Sequence, residues 1–449
     1  MKRIRSVLTK WLITTITISG LFLLAGCQGK FDVSSVLNQL VTQFVGQPTA
    51  TPQSTSEPTA EVISPLVTPT SPTISGTIEL TIWVPPQFDP SAETPQAELF
   101  KRRIKEFEEL HDDVFITVRV KAATGSNGLL ESLVITNQAA MQAMPSLVAF
   151  SRADVETAVE KNLVKPLDNF SSEIDQNDWY SYALNMSTKE GNTYGLPFAG
   201  NALVLVYRDS GSAQPPETWN DILRRGEPIS FPGGDPHSMM TFAMYLTNGG
   251  DLETIQRLPK LDIDNLTQIY QTYADGASSG VFPLWITQFQ SDTDAWTSYN
   301  ELRSNHVITW LSRFLSESSL DSRIMVFPSY TEIPVSLADG WVWSLTDPRP
   351  ETHQLVADLA EFLVDPDYLK LWTPEAGYLP VRPSSVEGFG DQAIRAAIEQ
   401  IAASSRLKPS NEIVNEIGPE MRDQLVQVLS LKTTAPFAAQ AIIDSINNY

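Results

Sequence analysis

Hydrophobic and polar positions alternate through Ile78–Val84 (IELTIWV) and again through Val114–Val120 (VFITVRV), the period-2 signature of half-buried strands. Between them Phe100, Ile104, Phe107 and Leu110 recur at helical spacing among charged residues, so 94–110 reads as an amphipathic helix. Strand, helix, strand in that order implies a crossover into a parallel sheet. Further on, 146–150 reads as a strand and 153–161 as a helix, with strands again at 202–207 and 229–231. A helix over 350–364 carries Val356, Leu359, Ala360 and Leu363 on one face. The last 60 or so residues read as helices, with Ile394, Ala397, Ile398 and Ile401 as one stripe. The pattern predicts an α/β body in two lobes with a helical C-terminal tail.

The N-terminal 76 residues have a different texture. Lys2, Arg3, Arg5 and Lys10 precede an apolar run that ends at Leu24. That run is about 14 residues long, short of the roughly 20 a spanning helix needs, and reads as an export signal. It closes in Leu24-Ala25-Gly26-Cys27, which resembles the lipobox of bacterial lipoproteins; a plain signal peptide containing a cysteine is the simpler alternative. The resemblance implies removal of 1–26, lipidation of Cys27 and a location on the outer face of the cell membrane. Residues 31–45 carry apolar positions at helical spacing but lack the basic face of an interfacial helix, so they read either as a surface helix or as a marginal one. From Gln47 to Gly76 the chain is dominated by Thr, Pro and Ser, a composition that cannot bury enough apolar surface to order itself. Extended at ~3.1 Å per residue, this tether reaches on the order of 90 Å.

Charge and motif content exclude several classes. The formal charge is −22 over 449 residues, and loss of the basic signal makes the mature chain more acidic still. Such a surface repels phosphate backbones and anionic lipid, so neither nucleic acid nor a bare membrane surface is an expected partner. Cys27 is the sole cysteine, which rules out an intramolecular disulfide. The four histidines (His111, His237, His306, His353) show no metal-ligand spacing, and no phosphate-loop, dinucleotide, nucleophile-elbow or zinc-protease motif occurs. No metal, no cofactor and no catalytic residues are expected.

Six phrases, in order, resemble the extracellular solute-binding proteins of ABC importers, specifically the sugar-binding branch typified by maltose-binding protein. They are the opening strand ending in Trp83, Met144-Pro145-Ser146-Leu147, and Tyr194-Gly195-Leu196-Pro197-Phe198-Ala199-Gly200-Asn201 running on to Tyr207. Then come Pro215-Pro216-Glu217-Thr218-Trp219-Asn220-Asp221, Asp339-Gly340-Trp341-Val342-Trp343-Ser344, and Gly377-Tyr378-Leu379-Pro380-Val381-Arg382. The resemblance covers about 78–449. Arg208 stands where the family has Asn or Asp, and Asn305-His306-Val307-Ile308-Thr309-Trp310 replaces a Gly-x-Ala-Ala-Met segment, which leaves the ligand open.

The resemblance implies a two-lobe, periplasmic-binding-protein-like clamshell with strands crossing between lobes near 198–201, 323–328 and 374–377. An N-terminal lobe of 77–198 plus 325–375 would face a C-terminal lobe of 199–324 plus 376–449. Sugars offer flat C–H faces to aromatic rings and hydroxyls to amide and charged groups. Candidate stacking residues are therefore Trp83, Phe150, Trp310, Trp341 and Trp343, with Gly340 beside them; Trp285 and Trp296 are weaker ones. Candidate polar contacts are Gln87, Ser151, Arg152, Asn201, Asp235 and His237. Asp235 has a second reading as the cap of the helix after it, with Pro236 at the first position. Trp179, Trp219 and Trp372 read as core. The implied function is a monomeric, lipid-anchored receptor that captures a neutral sugar or oligosaccharide for an ABC permease. A secreted glycoside hydrolase and a solute-sensing lipoprotein are the alternatives.

Overall fold

The computed structural model describes residues 76–209, 215–252, 260–319 and 321–447; the expected export signal, Cys27, the expected helix at 31–45 and nearly all of the expected tether lie outside the described residues. The strands are β1 (Ile78–Val84), β2 (Val114–Val120), β3 (Leu147–Ser151), a small hairpin of β4 (Thr188–Lys189) and β5 (Asn192–Thr193), β6 (Leu196–Arg208), β7 (Ile229–Ser230), β8 (His306–Trp310), β9 (Ser322–Val326), β10 (Ser336–Leu345) and β11 (Ser405–Leu407). All but the hairpin join one nine-stranded network in the order β2-β1-β3-β10-β6-β8-β7, with β11 added to β10 and β9 to β6. β1 and β2 pair in parallel over their full length, joined by the helix Pro95–Leu110, as the alternation predicts.

β6 belongs to both halves of the network. Its residues from Leu196 to Ala202 pair antiparallel with β10, and from Leu203 onward it pairs with β8 and β9. Side chains alternate along it: Ala202, Val204 and Val206 enter one hydrophobic cluster, Leu203 and Leu205 the other. The first cluster gathers β1, β3, most of β10 and the helices His353–Phe362 and Gln392–Ser404. The second gathers the helices Met239–Thr247, Ile263–Ser279, Asn411–Leu429 and Ala435–Asn447. Among the described residues no helix is long and apolar enough to cross a membrane.

Three stretches pack differently from the expected partition. Phe327, Val335 and Leu337 enter the second cluster, whereas Ala295, Trp296, Tyr299, Val307, Leu311 and Phe314, and further on Leu379, Val381, Phe389 and Ile398, enter the first. The last shift has an identifiable cause. The helix Pro366–Ala376 ends at Gly377 in the left-handed conformation (φ 70°), which turns the chain so that Leu379 bridges to Gly200 of β6. Arg382 then enters the protein fully buried: Nε donates to the Val364 carbonyl at 2.8 Å, Nη2 pairs with Glu173, and the guanidinium lies 3.7 Å from the Trp179 ring centre. Burial holds its pKa below the usual arginine range, against the opposing pull of Glu173 and Asp178. Trp179, Trp219 and Trp372 are all core, as expected.

Removing this guanidinium strands a buried carboxylate and a carbonyl. Arg382→Ala should cost about 3–5 kcal/mol in urea unfolding. Arg382→Lys should recover only a minor part, because an ammonium cannot serve Val364 and Glu173 together.

Candidate functional site

Two cavities of about 520 and 480 Å³ share Ser151, Asp292 and Trp310 and so form one continuous cleft. The first cavity is lined by Gln87, Gln96, Asn201, Gly340, Trp341 and Tyr378, among others. Trp341 sits midway along β10, just before a register shift that falls between Trp341 and Val342. Phe88 meets its ring edge-on at 5.4 Å and contacts Tyr378 at 5.5 Å, so both cleft aromatics rest on a common packed ring. Burial pushes the Tyr378 hydroxyl up to about 12, which keeps it a neutral donor.

Opposite stand Trp310, at the end of β8, and the helix Leu311–Glu317. Asp292 fixes this wall. It begins the helix Asp292–Asn300, whose start is held by a reciprocal Ser291–Asp294 capping box. Its carboxylate accepts from Thr309 Oγ1 (2.5 Å), from the Trp310 amide (3.1 Å) and from Arg313 Nε (3.0 Å). Asn201 of β6 ties the walls together, accepting from the Ser312 amide and donating Nδ2 to Ser312 Oγ at 2.9 Å. In the second cavity Asp235 accepts from the amides of His237 (2.9 Å) and Met239 (3.1 Å). The helix there starts at Met239 after Ser238, so Asp235 anchors the turn before it and Pro236 lies outside it.

Of the expected contacts, Gln87, Ser151, Asn201, Asp235, His237, Trp310, Gly340 and Trp341 line the cleft. Four do not. Trp83 is 3% exposed because it packs into the first cluster, and the Lys121 ammonium closes over its ring at 4.7 Å. Trp343, two residues deeper than Trp341 on β10, is stacked on Phe198 at 4.4 Å. Phe150 faces the core opposite to Ser151. Arg152 turns away from the cleft, donating Nη1 to the carbonyls of Lys408 and Pro409 and pairing with Glu156 at 2.6 Å. Gly340 lines the cleft for a packing reason: a Cβ there would strike Met186 Sδ and the Ala199 carbonyl. Gln96, Asp292, Arg313, Asp339, Tyr378 and Lys408 also line the cleft without having been expected there; of these, Asp339 and Tyr378 stand inside two of the family-like phrases, the one legible signal for them.

The charged groups facing the cleft are engaged within the protein, Asp235 by the amides of its own turn. Lys408 Nζ lies 2.5 Å from Asp339, and Arg313 binds Asp292, Glu317 and Thr293. By contrast, the side-chain amides of Gln87 and Gln96, and that of Asn415 in the second cavity, have no protein partner among the described residues.

Just behind Ser151, Asp154 has its pKa pushed up to about 6, chiefly by burial and further by Glu131 and Asp339, while the Ser151 hydroxyl and Lys408 pull it down. A raised acid pKa contributes stability that is complete below the unfolded value of 3.8 and is lost as pH rises through about 6. Asp154→Asn should therefore be more stable than the parent at pH 8, by at most about 3 kcal/mol, with the gap closing towards pH 4. Urea midpoints measured across that range check the sign.

A model of the family described as bacterial extracellular solute-binding protein matches residues 102–399, more than half of the chain. A search of curated proteins finds no match. Among solved structures, the cyclic α-maltosyl-1,6-maltose binding protein of Arthrobacter globiformis aligns with a TM-score of 0.69 at 16% identity, covering 83% of this chain and 99% of that one. The sugar-binding protein MalE of Xanthomonas citri aligns with a TM-score of 0.69 at 15% identity, over 83% and 97%. The GacH receptor of Streptomyces glaucescens, solved unliganded and with acarbose, gives 0.61 at 16% identity over 82% and 97%. These likenesses establish the two-lobe clamshell fold, and the family match settles the kinship: this chain belongs to the bacterial extracellular solute-binding proteins.

Proposed function

We propose that this protein is a lipid-anchored receptor that captures a neutral carbohydrate in the cleft and delivers it to an ABC permease. The observation that carries the reading is the contrast inside the first cavity. Its Asp292 and Asp339 are closed in pairs with Arg313 and Lys408, while three aromatic rings, Trp310, Trp341 and Tyr378, and the unpartnered amides of Gln87 and Gln96 remain for a ligand. A phosphorylated or carboxylated sugar would have to break an ion pair to gain one. A neutral polyol needs only hydrogen bonds and a ring face.

Arg152, the expected cleft cation, faces elsewhere, and the cations that do face the cleft, Lys408 and Arg313, are already engaged. The same engagement weighs against the hydrolase alternative, because Asp292 and Asp339 already share their oxygens with internal partners. The proposed hinge is β6, with Asn201 at the change of partners; closure would bring the Trp310 wall towards Trp341. The names of the structural relatives, which bind maltose-type sugars and acarbose, favour the same class.

Two measurements test this. In calorimetric titration a neutral maltose-type oligosaccharide should release heat and its phosphorylated analogue should not. Trp341→Ala should weaken binding about tenfold or more with the melting temperature little changed; tight, salt-sensitive binding of the phosphate form alone overturns the reading. Separately, Cys27→Ser should move the protein from the membrane fraction to the supernatant. Serine protein that still sediments and is freed only by detergent refutes the anchor.

A further inference from the structure

The two halves of the cleft are chemically unlike. The first cavity presents Trp310, Trp341 and Tyr378, and among its described lining residues there is no Leu, Ile, Val or Met. The second is walled by Leu203, Met239, Met240, Ile308 and Val414, with the shared Trp310 as its one indole or phenyl ring among the described residues. A sugar ring gains from a flat aromatic face, to which its C–H groups fit. Rounded aliphatic walls offer no such face, and hydroxyls pressed against them lose water without replacement.

Around the second cavity the Asn415 amide is unpartnered, but the other polar groups that line its aliphatic wall are largely engaged already. Asp235 accepts from its own turn, Asp292 from Thr309, Trp310 and Arg313, and Lys408 is paired with Asp339. Asn411 donates its amide to the Ala153 carbonyl at 2.8 Å. What the cavity does offer is about 480 Å³ bounded by branched side chains and two adjacent thioethers, which adapt to irregular apolar shapes.

We propose that the ligand is an amphiphilic glycoside, with its sugar in the Trp341 cavity and an alkyl or similar aliphatic substituent in the Met239–Val414 cavity. This rests on the carbohydrate reading of the same cleft. Trp310, at the junction, would cover the glycosidic linkage. The free energy comes from transferring methylenes out of water, so affinity rises with alkyl length until the cavity is filled.

Calorimetric titration with methyl, butyl and hexyl β-maltosides, kept below micelle-forming concentrations, tests the proposal beside unsubstituted maltose and maltotriose. Affinity should rise at least about tenfold from methyl to hexyl, with an increasingly negative heat-capacity change. Met239→Gln and the isosteric Val414→Thr should each flatten that rise, read as the hexyl-to-methyl affinity ratio in protein whose melting temperature shows it folded. A flat alkyl series in protein that binds maltose overturns the amphiphilic ligand and leaves the sugar reading standing. A gain from maltose to maltotriose larger than that from methyl to hexyl also overturns it, in favour of a longer sugar chain. No heat from any glycoside removes both.

Discussion

The molecule depends on one strand serving two sheets. β6 runs for 13 residues, and every partner it has changes between Ala202 and Leu203. A strand must satisfy its backbone groups along its whole length, so the change obliges β10 on one side and β8 and β9 on the other to meet at the same point. Asn201 stands there, with its amide engaged by Ser312. The cleft is the space left where the two sheet halves diverge from this shared line. Its residues come from strand ends, Ser151 of β3 and Trp310 of β8, and from the middle of the strands at the shared line, Asn201 of β6 and Asp339 to Trp341 of β10.

Much of the fold was legible because period and composition agree locally. β1 and β2 fall where alternation puts them, and the helix between them starts one residue inside its expected bound. The helical tail likewise follows from stripes such as Ile394, Ile398 and Ile401. What sequence could not show is which of two packed bodies a segment joins, since an apolar stripe names a buried face and not its partner. Arg382 illustrates this. A charged residue after Leu379-Pro380-Val381 reads as the start of a surface, yet it is a fully buried strut whose partners, Glu173 and Val364, lie far away in the chain.

The site was legible where residues sit on strand ends and illegible where burial depends on neighbours. Trp341 and Trp343 share a strand face and a motif, and a two-residue step along β10 separates an open ring from one stacked on Phe198. Trp83 ends its strand as Trp310 does. Trp83 nonetheless packs into the first cluster beneath Lys121, whereas Trp310 is half-buried and lines the cleft. Asp292 and Lys408 had no local signal at all. Their place in the cleft follows from long-range pairing with Arg313 and Asp339, which no spacing rule reports.

The self-contained ion pairs carry a further consequence for closure. A clamshell must open and close at small free-energy difference for ligand to bias it. Charges left single on facing walls would either pull the cleft shut empty or hold it apart, and either would swamp the contribution of a neutral ligand. Pairing Asp292 with Arg313 within one wall removes that bias. Lys408 and Asp339 sit on segments joined through β10 and β11, whose residues 336–338 and 405–407 are in register, so their attraction is internal to one paired unit as well. The cleft is thus electrostatically quiet despite the strongly acidic chain around it. In such a cleft, selectivity falls to shape, ring faces and unpartnered amides, the terms that distinguish one uncharged solute from another.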